Sequence, residues 1–274
     1  MNRIVRFPVM TIATLSLVVA VTGCQKLKAR DQLNKGVQAY KSARYEEAIN
    51  HFEQAVNDDP TLPMARSYLA TAYAQQVVPD LKSADNLKTA NLAIENFQKV
   101  LQQKPGDIDS MKGIASIYLN IDENQKAKEW QLKVLQADPQ DAEAAYTIGS
   151  IDWKLAYRNA VRELKAVGLE DDGQGNPKMP KKTCQAIVKQ NTDLVNEGIQ
   201  YLKKAIEIRP NYDDAMTYLQ LTYRRKADLE CGDDAARKAD MAMVDQWLQK
   251  AMNTRKANEE KKNAEANKGG IHLQ

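Results

Sequence analysis

The residues best suited to chemistry in this chain are few. Three cysteines and two histidines stand among 274 residues. A thiolate serves as nucleophile, metal ligand or disulfide half, depending on its neighbours. Cys24 lies just behind an apolar run, whereas Cys184 and Cys231 lie far down the chain. His51 and His272 stand apart from every cysteine, so no His–Cys pair has metal-ligand spacing. Asp171, Asp172 and Asn176 lack the spacing of a calcium loop with its central Gly and terminal Glu. No G-x-S-x-G, Walker loop or G-x-G-x-x-G occurs. Scattered carboxylates alone nominate no acid–base pair. These residues therefore predict no catalytic centre, no metal site and no cofactor.

Lysine and arginine form two local clusters. Lys178, Lys181 and Lys182 could touch anionic lipid or an acidic partner, or simply be solvated beside Asp171 and Asp172. Arg224, Arg225 and Lys226 fall in a helical stretch and match no diagnostic pattern. The formal charge is +3, from 39 Lys and Arg against 36 Asp and Glu. Loss of residues 1–23 would remove only Arg3 and Arg6 from that balance and leave +1. Such a nearly neutral chain gives no reason to expect nucleic acid as a partner.

The N-terminus reads as an export signal. Arg3 and Arg6 precede an apolar run that ends in Val21-Thr22-Gly23-Cys24. The run is short for a permanent span, which needs about 20 apolar residues. Those last four residues resemble the bacterial lipobox, in which the cysteine is lipidated and the chain is cut before it. The resemblance implies a signal peptide over 1–23, a lipidated end and short linker over 24–28, and a membrane partner reached through lipid on Cys24. Gln25 in place of Asp favours the outer membrane, facing the periplasm, by analogy with other lipoproteins of this kind. In an exported chain Cys184 and Cys231 could pair, or remain two separate thiols.

The rest of the chain must position whatever it binds. Ala, Leu, Lys, Glu and Gln dominate, and aromatic residues are 6%. These are helix formers, so the fold class is all-α. Pro60, Pro105, Pro139 and Pro210 serve as rulers for an internal repeat. Twelve residues before them stand Ala48, Ala93, Ala127 and Gly198; eight before, Phe52, Phe97, Gln131 and Leu202. Nine after come Leu69, Ile114, Ile148 and Leu219; thirteen after, Tyr73, Tyr118, Asp152 and Tyr223. Spacings of four and seven put apolar residues on one helix face. Small residues allow close approach, and each proline stops the second helix of a pair. One pair cannot bury its apolar face, so neighbours must stack.

These residues resemble the tetratricopeptide repeat, a 34-residue helix–turn–helix unit. Pro105 and Pro139 are 34 residues apart, and Arg44-Tyr45-Glu46-Glu47-Ala48-Ile49, with Gly36 ahead, matches the best-known stretch of that family. The resemblance implies a right-handed solenoid of about five helix pairs over 29–255, in units of about 28–61, 62–106, 107–140, 141–211 and 212–255. The wider proline spacings predict an insert near 75–90 and a projecting helical hairpin over about 154–190. Trp153, Tyr157, Val161, Leu164 and Val167 keep helical spacing into that hairpin. The charged stretch 256–274 is expected to be flexible.

In this family the first helices line a groove that holds peptides or helices. The resemblance places Val37, Tyr40, Lys41, Ser67, Thr71, Lys112, Ser116, Tyr146, Ser150, Thr217, Leu221 and Arg225 on that face. The family's peptide-terminus pattern of basic residues with an Asn is not carried over, because Leu33, Val37 and Thr71 occupy the matching positions. The expected function is a non-catalytic, membrane-tethered scaffold or adaptor in envelope assembly or secretion, holding a protein or peptide in the groove. An accessory or regulatory subunit of an envelope enzyme is the alternative.

Overall fold

The computed structural model describes residues 10–62 and 64–269, with side chains over 24–62 and 64–266. Ten α-helices and no strand occur among the described residues. The chain forms two compact units, Met1–Ala127 and Lys128–Gln274, and the division falls inside α6 (Asn124–Ala137).

The first unit contains α1 (Met10–Lys41), α2 (Tyr45–Asp58), α3 (Ala65–Gln75), α4 (Ala84–Gln103) and α5 (Ile108–Asn120). α1 packs on α2, α3 on α4, and each pair meets the next. The ruler positions explain why. Ala48, Phe52 and Ala55 are fully buried on one face of α2, as are Ala93 and Ile114 further along. A methyl on Gly36 would come 2.5 Å from the Phe52 ring, and one on Gly113 would come 2.6 Å from Phe97. Each glycine thus admits the ring of a neighbouring helix, and the ring fills the space that no side chain occupies.

The helix starts are set locally. Asp107 accepts a bond from Ser110 N at 3.1 Å, and Ser83 accepts one from Asn86 N at 3.2 Å. The insert between α3 and α4 is an ordered loop over 76–83, followed by an α4 of 20 residues against 14 in α2. Buried Asn86 organises that loop. Its amide oxygen accepts from Val78 N at 2.8 Å, and its nitrogen donates to Val78 O and Leu81 O at 2.9 and 2.7 Å. Asp80 N then donates to Asn120 O at 2.8 Å, which fastens the loop to the end of α5.

The second unit contains α7 (Ala142–Lys165), α8 (Lys181–Ile208), α9 (Asp213–Ala227) and α10 (Asp234–Gly269). α7 and α8 form a long antiparallel hairpin, and α9 packs on both. Gly149 and Gly198 face each other at their closest approach, where a methyl on Gly149 would lie 2.5 Å from Leu202 and 3.0 Å from Gly198 O. Further out, Asn191 Nδ2 donates to Ala156 O at 2.8 Å inside the hairpin, and Ala160, Leu164 and Ile187 form its small core. Asp152 takes the position that tyrosine holds in three other registers. It is fully buried and meets Lys128 Nζ at 2.6 Å, while the same ammonium reaches Glu197 at 2.7 Å. Burial opposes the Lys128 charge, but its two carboxylate partners outweigh that and raise its pKa. Burial also pushes Asp152 up to about 7, against the pull of Lys128.

Two boundary expectations change. The linker 24–28 lies within α1, and the expected flexible tail is helical as far as Gly269. Alanine, lysine and glutamate continue the helix. Lys256 and Glu260 lie 3.9 Å apart at i, i+4. Asn258 Nδ2 donates to Asn211 O at 3.0 Å and Arg255 meets Asp213 at 2.8 Å, tying this stretch to the start of α9. Of the export signal, residues 1–9 lie outside the described residues, as do 270–274 with His272. No helix among the described residues is long and apolar enough to cross a membrane.

Candidate binding faces

In the first unit, α3, α5 and the loop 76–83 enclose a cavity of about 450 Å³. Thr71 and Ser116, both expected on the groove, line it together with Gln75, Asp109 and Asn120. Phe97 and Ile117 supply an apolar floor, and Val77 and Pro79 of the insert form a wall. The insert therefore shapes this face. The Thr71 hydroxyl donates to Ser67 O at 2.9 Å within its own helix. Ser116 is exposed and Lys112 half-buried. Tyr40 packs on the α1–α2 core with its ring edge-on to Tyr45 at 5.4 Å, and Lys41 is exposed at the end of α1. Burial raises the Tyr40 phenol, as does its neighbour Tyr45. His51 bonds Gln32 at 2.7 Å and so joins α1 to α2.

In the second unit the aromatic residues form one continuous run between α7 and α9. Tyr212 meets Tyr146 at 5.0 Å, Tyr146 meets Tyr218 at 5.5 Å, Tyr218 meets Trp153 at 5.2 Å, and Trp153 stacks on Tyr157 at 5.6 Å. These separations suit offset and edge-on ring pairs. A guanidinium closes each end, with Arg209 4.4 Å from the Tyr212 ring and Arg225 5.4 Å from the Tyr157 ring. Burial, with Tyr218 and Asp214 nearby, pushes the Tyr146 phenol well above its ordinary range. Tyr157 remains 39% exposed at the hairpin end of the run.

Of the expected contacts, Tyr146 sits inside this run. Ser150 donates to Thr147 O and Thr217 to Asp213 O, both within their own helices, and Leu221 is half-buried. Arg225 departs from expectation. It is 2% exposed and belongs to a buried network, not to an open groove. One of its nitrogens bonds both carboxylate oxygens of Asp171 at 3.0 and 2.9 Å. Another lies 2.9 Å from Asp228, an ion pair without hydrogen-bond alignment. Asn176 Nδ2 also donates to Asp228 at 2.8 Å. Burial raises the Asp228 carboxyl to about 6, moderated by Arg225 and Asn176. Burial works in the same sense on Asp171, but Arg225 outweighs it and leaves that carboxyl below its usual range. The physical reason for the correction is the loop 166–180, which folds back over the end of α9 and delivers Asp171 to the guanidinium.

Cys184 and Cys231 are joined by a disulfide with Cα atoms 5.7 Å apart. It fastens the start of α8 to the turn between α9 and α10, beside that network. Cys24 is an exposed free cysteine. Lys178, Lys181 and Lys182 are exposed. Among the described residues no group of three or more His, Cys, Asp or Glu could hold a metal ion.

Antiparallel helix pairs with glycine-and-ring contacts and proline-stopped second helices define an all-α helical-repeat fold. Residues 113–141 match the family model of the tetratricopeptide repeat. The fold is similar to a crystal structure of a MamA protein, with a TM-score of 0.55 at 16% identity, covering 90% of this chain and 97% of that one. It is also similar to MamA 41-end from Desulfovibrio magneticus RS-1, with a TM-score of 0.54 at 17% identity over 84% of this chain and 96% of that one. Sperm-associated antigen 1 of Rattus norvegicus is 28% identical over 140 residues, 51% of this chain. Antiviral innate immune response effector IFIT1 of Homo sapiens is 26% identical over 202 residues, 72% of this chain. The matched stretches span only 14% and 36% of those two proteins.

Proposed function

We propose that this chain is a non-catalytic protein–protein interaction scaffold. It docks a peptide or helix of a partner on the first-helix faces of its repeats and is tethered through lipid on Cys24 in a bacterial cell envelope. The single observation that carries the docking reading is the aromatic run from Tyr212 to Tyr157, with an exposed ring at its outer end. Aromatic side chains dominate binding energy because they bury much area at low conformational cost. The Thr71–Ser116 cavity supplies a second, more polar face.

The envelope reading is supported by the lipobox-like Val21-Thr22-Gly23-Cys24 and by the exposure of Cys24. The Cys184–Cys231 bridge also suits an oxidising compartment. Acyl chains contribute about 0.8 kcal/mol per buried CH₂, so more than one chain gives a stable anchor. On this reading the protein faces the periplasm from the outer membrane and serves envelope assembly or secretion.

The test is affinity purification from solubilised membranes, comparing wild type with Tyr157→Ala and with Gln200→Ala, a substitution at an exposed position of α8. A partner retained by wild type and Gln200→Ala but lost with Tyr157→Ala supports the reading. Equal retention by all three proteins contradicts docking at this face. A purified chain that turned over a substrate unaided would overturn the non-catalytic assignment. Fatty-acid labelling should vanish in Cys24→Ser, and labelling that persisted would remove the tether.

A further inference from the structure

α7 carries a second pattern beside the aromatic run. Lys154, Arg158, Arg162 and Lys165 recur at i, i+4, i+8 and i+11. At ~100° per residue they fall within roughly 80° of one another around the helix, and Tyr157 and Val161 run alongside the same strip. Arg158, Arg162 and Lys165 are exposed and Lys154 is half-buried.

At the outer end of the strip lies a cavity of about 260 Å³, lined by Tyr157, Val161, Lys165, Leu169, Glu170 and Asp171. Its walls are held in place. Leu169 N donates to Leu164 O at 3.0 Å, and the Leu169 side chain packs on the Ala160–Leu164–Ile187 core. Arg225 grips Asp171 through both carboxylate oxygens, so this acid in the cavity wall is already neutralised. Glu163, the one acid on α7 between Lys154 and Lys165, accepts from Gln190 at 2.9 Å and lies 3.7 Å from Arg162. The hairpin segment 154–190 contains eight Lys and Arg against four Asp and Glu. Lys154 and Arg158 also hold contacts within the chain, which a partner's carboxylates would join or exchange.

We propose that this strip docks an acidic segment of a partner protein that carries one aliphatic or aromatic anchor. The anchor enters the cavity between Tyr157, Val161 and Leu169, while flanking carboxylates pair with Arg158 and Lys165. Arginine engages a carboxylate through two parallel bonds, which fixes the register of the segment. The charges speed encounter and reject basic sequences, and the Tyr157, Val161 and Leu169 side of the cavity selects the anchor. This inference rests on the peptide-docking reading and gives its partner a chemistry.

The test uses the full mature chain and three pools of short fluorescent peptides, measured by anisotropy. Every peptide has a central Leu or Phe, flanked by Asp and Glu in one pool, Ser and Gly in the second, and Lys and Arg in the third. The acidic pool should bind at least about tenfold more tightly than the neutral pool, and added salt should shrink the difference. The double variant Arg158→Glu/Lys165→Glu should erase or invert that preference with its helical circular dichroism unchanged. Val161→Asp should weaken both the acidic and the neutral pools. Equal binding of acidic and neutral pools would overturn the charge preference while leaving peptide docking intact. Failure of every pool to bind would overturn both. Binding to phosphatidylglycerol vesicles that depends on Arg158 and Lys165, without competition from acidic peptides, would assign the strip to a membrane surface and also overturn the proposal.

Discussion

Arg225→Met isolates the electrostatics of the buried network with little change in volume. The guanidinium is 2% exposed, and Asp228 beside it is fully buried. Removing one partner of such a pair costs about 3–5 kcal/mol, because a buried charge is left uncompensated. Asp228 can escape by binding a proton. At pH 7, protonating a carboxyl whose unfolded pKa is about 3.9 costs about 4 kcal/mol, and at pH 5 about 1.5 kcal/mol. The variant should therefore lose about 3–4 kcal/mol at pH 7 and about half that at pH 5. The sign follows from a folded-state pKa raised above the unfolded one, so stability falls as pH rises through that window. Arg225→Met/Asp228→Asn should recover the part of the loss that Asp228 causes and weaken the pH dependence, the remainder coming from Asp171, whose carboxylate Arg225 also holds. Urea unfolding followed by tryptophan fluorescence is the assay. Trp130, Trp153 and Trp247 all lie in the second unit, so the signal reports that unit. A loss below about 1 kcal/mol at pH 7, or equal losses at both pH values, would show that Arg225 does not compensate a buried Asp228 charge.

Three further outcomes follow from the same geometry. Asp152 is raised to about 7 by burial, so its contribution to stability should fade as pH rises from about 4 to 7; Asp152→Asn should flatten that part of the urea-midpoint profile. Cys184→Ser/Cys231→Ser opens a link of sequence separation 47, which loop entropy values at about 4 kcal/mol; non-reducing mass spectrometry and urea midpoints check the bridge and its contribution. Gly149→Ala should destabilise by about 1–3 kcal/mol, because its methyl would lie 2.5 Å from Leu202. Gly106→Ala, with nothing within 4 Å of the added methyl, is the matched control, and Leu202→Ala should offset part of the Gly149→Ala loss in thermal melts.

The helical repeat was legible because its signal is local and recurs. Alanine, a ring and a proline at fixed offsets state which faces pack, and Ala48, Ala93, Phe52 and Phe97 at the alanine and ring offsets are buried. The candidate faces were legible only in part. Thr71 and Ser116, expected on the groove, line one cavity because a repeat carries its first-helix positions forward. The aromatic run was missed as a unit because it interleaves residues of α7 and α9; Tyr146, Trp153 and Tyr157 at i, i+7 and i+11 were its one local trace. Arg225 was misplaced because its partner Asp171 is 54 residues away, in a loop that periodicity does not describe. The stretch after Arg255 reads as a polar tail by composition, whereas its helix is held by Asn258 and Arg255 reaching back to α9.

Site-specific photo-crosslinking in the native cell shows which helix faces a partner touches. A photoreactive residue at Ser116 or Tyr157 stands on a first-helix face, and one at Gln98 or Gln200 stands exposed on a second helix. A discrete protein adduct is expected from Ser116 or Tyr157 and none from Gln98 or Gln200. Adducts confined to Gln98 and Gln200 would contradict docking on the first-helix faces.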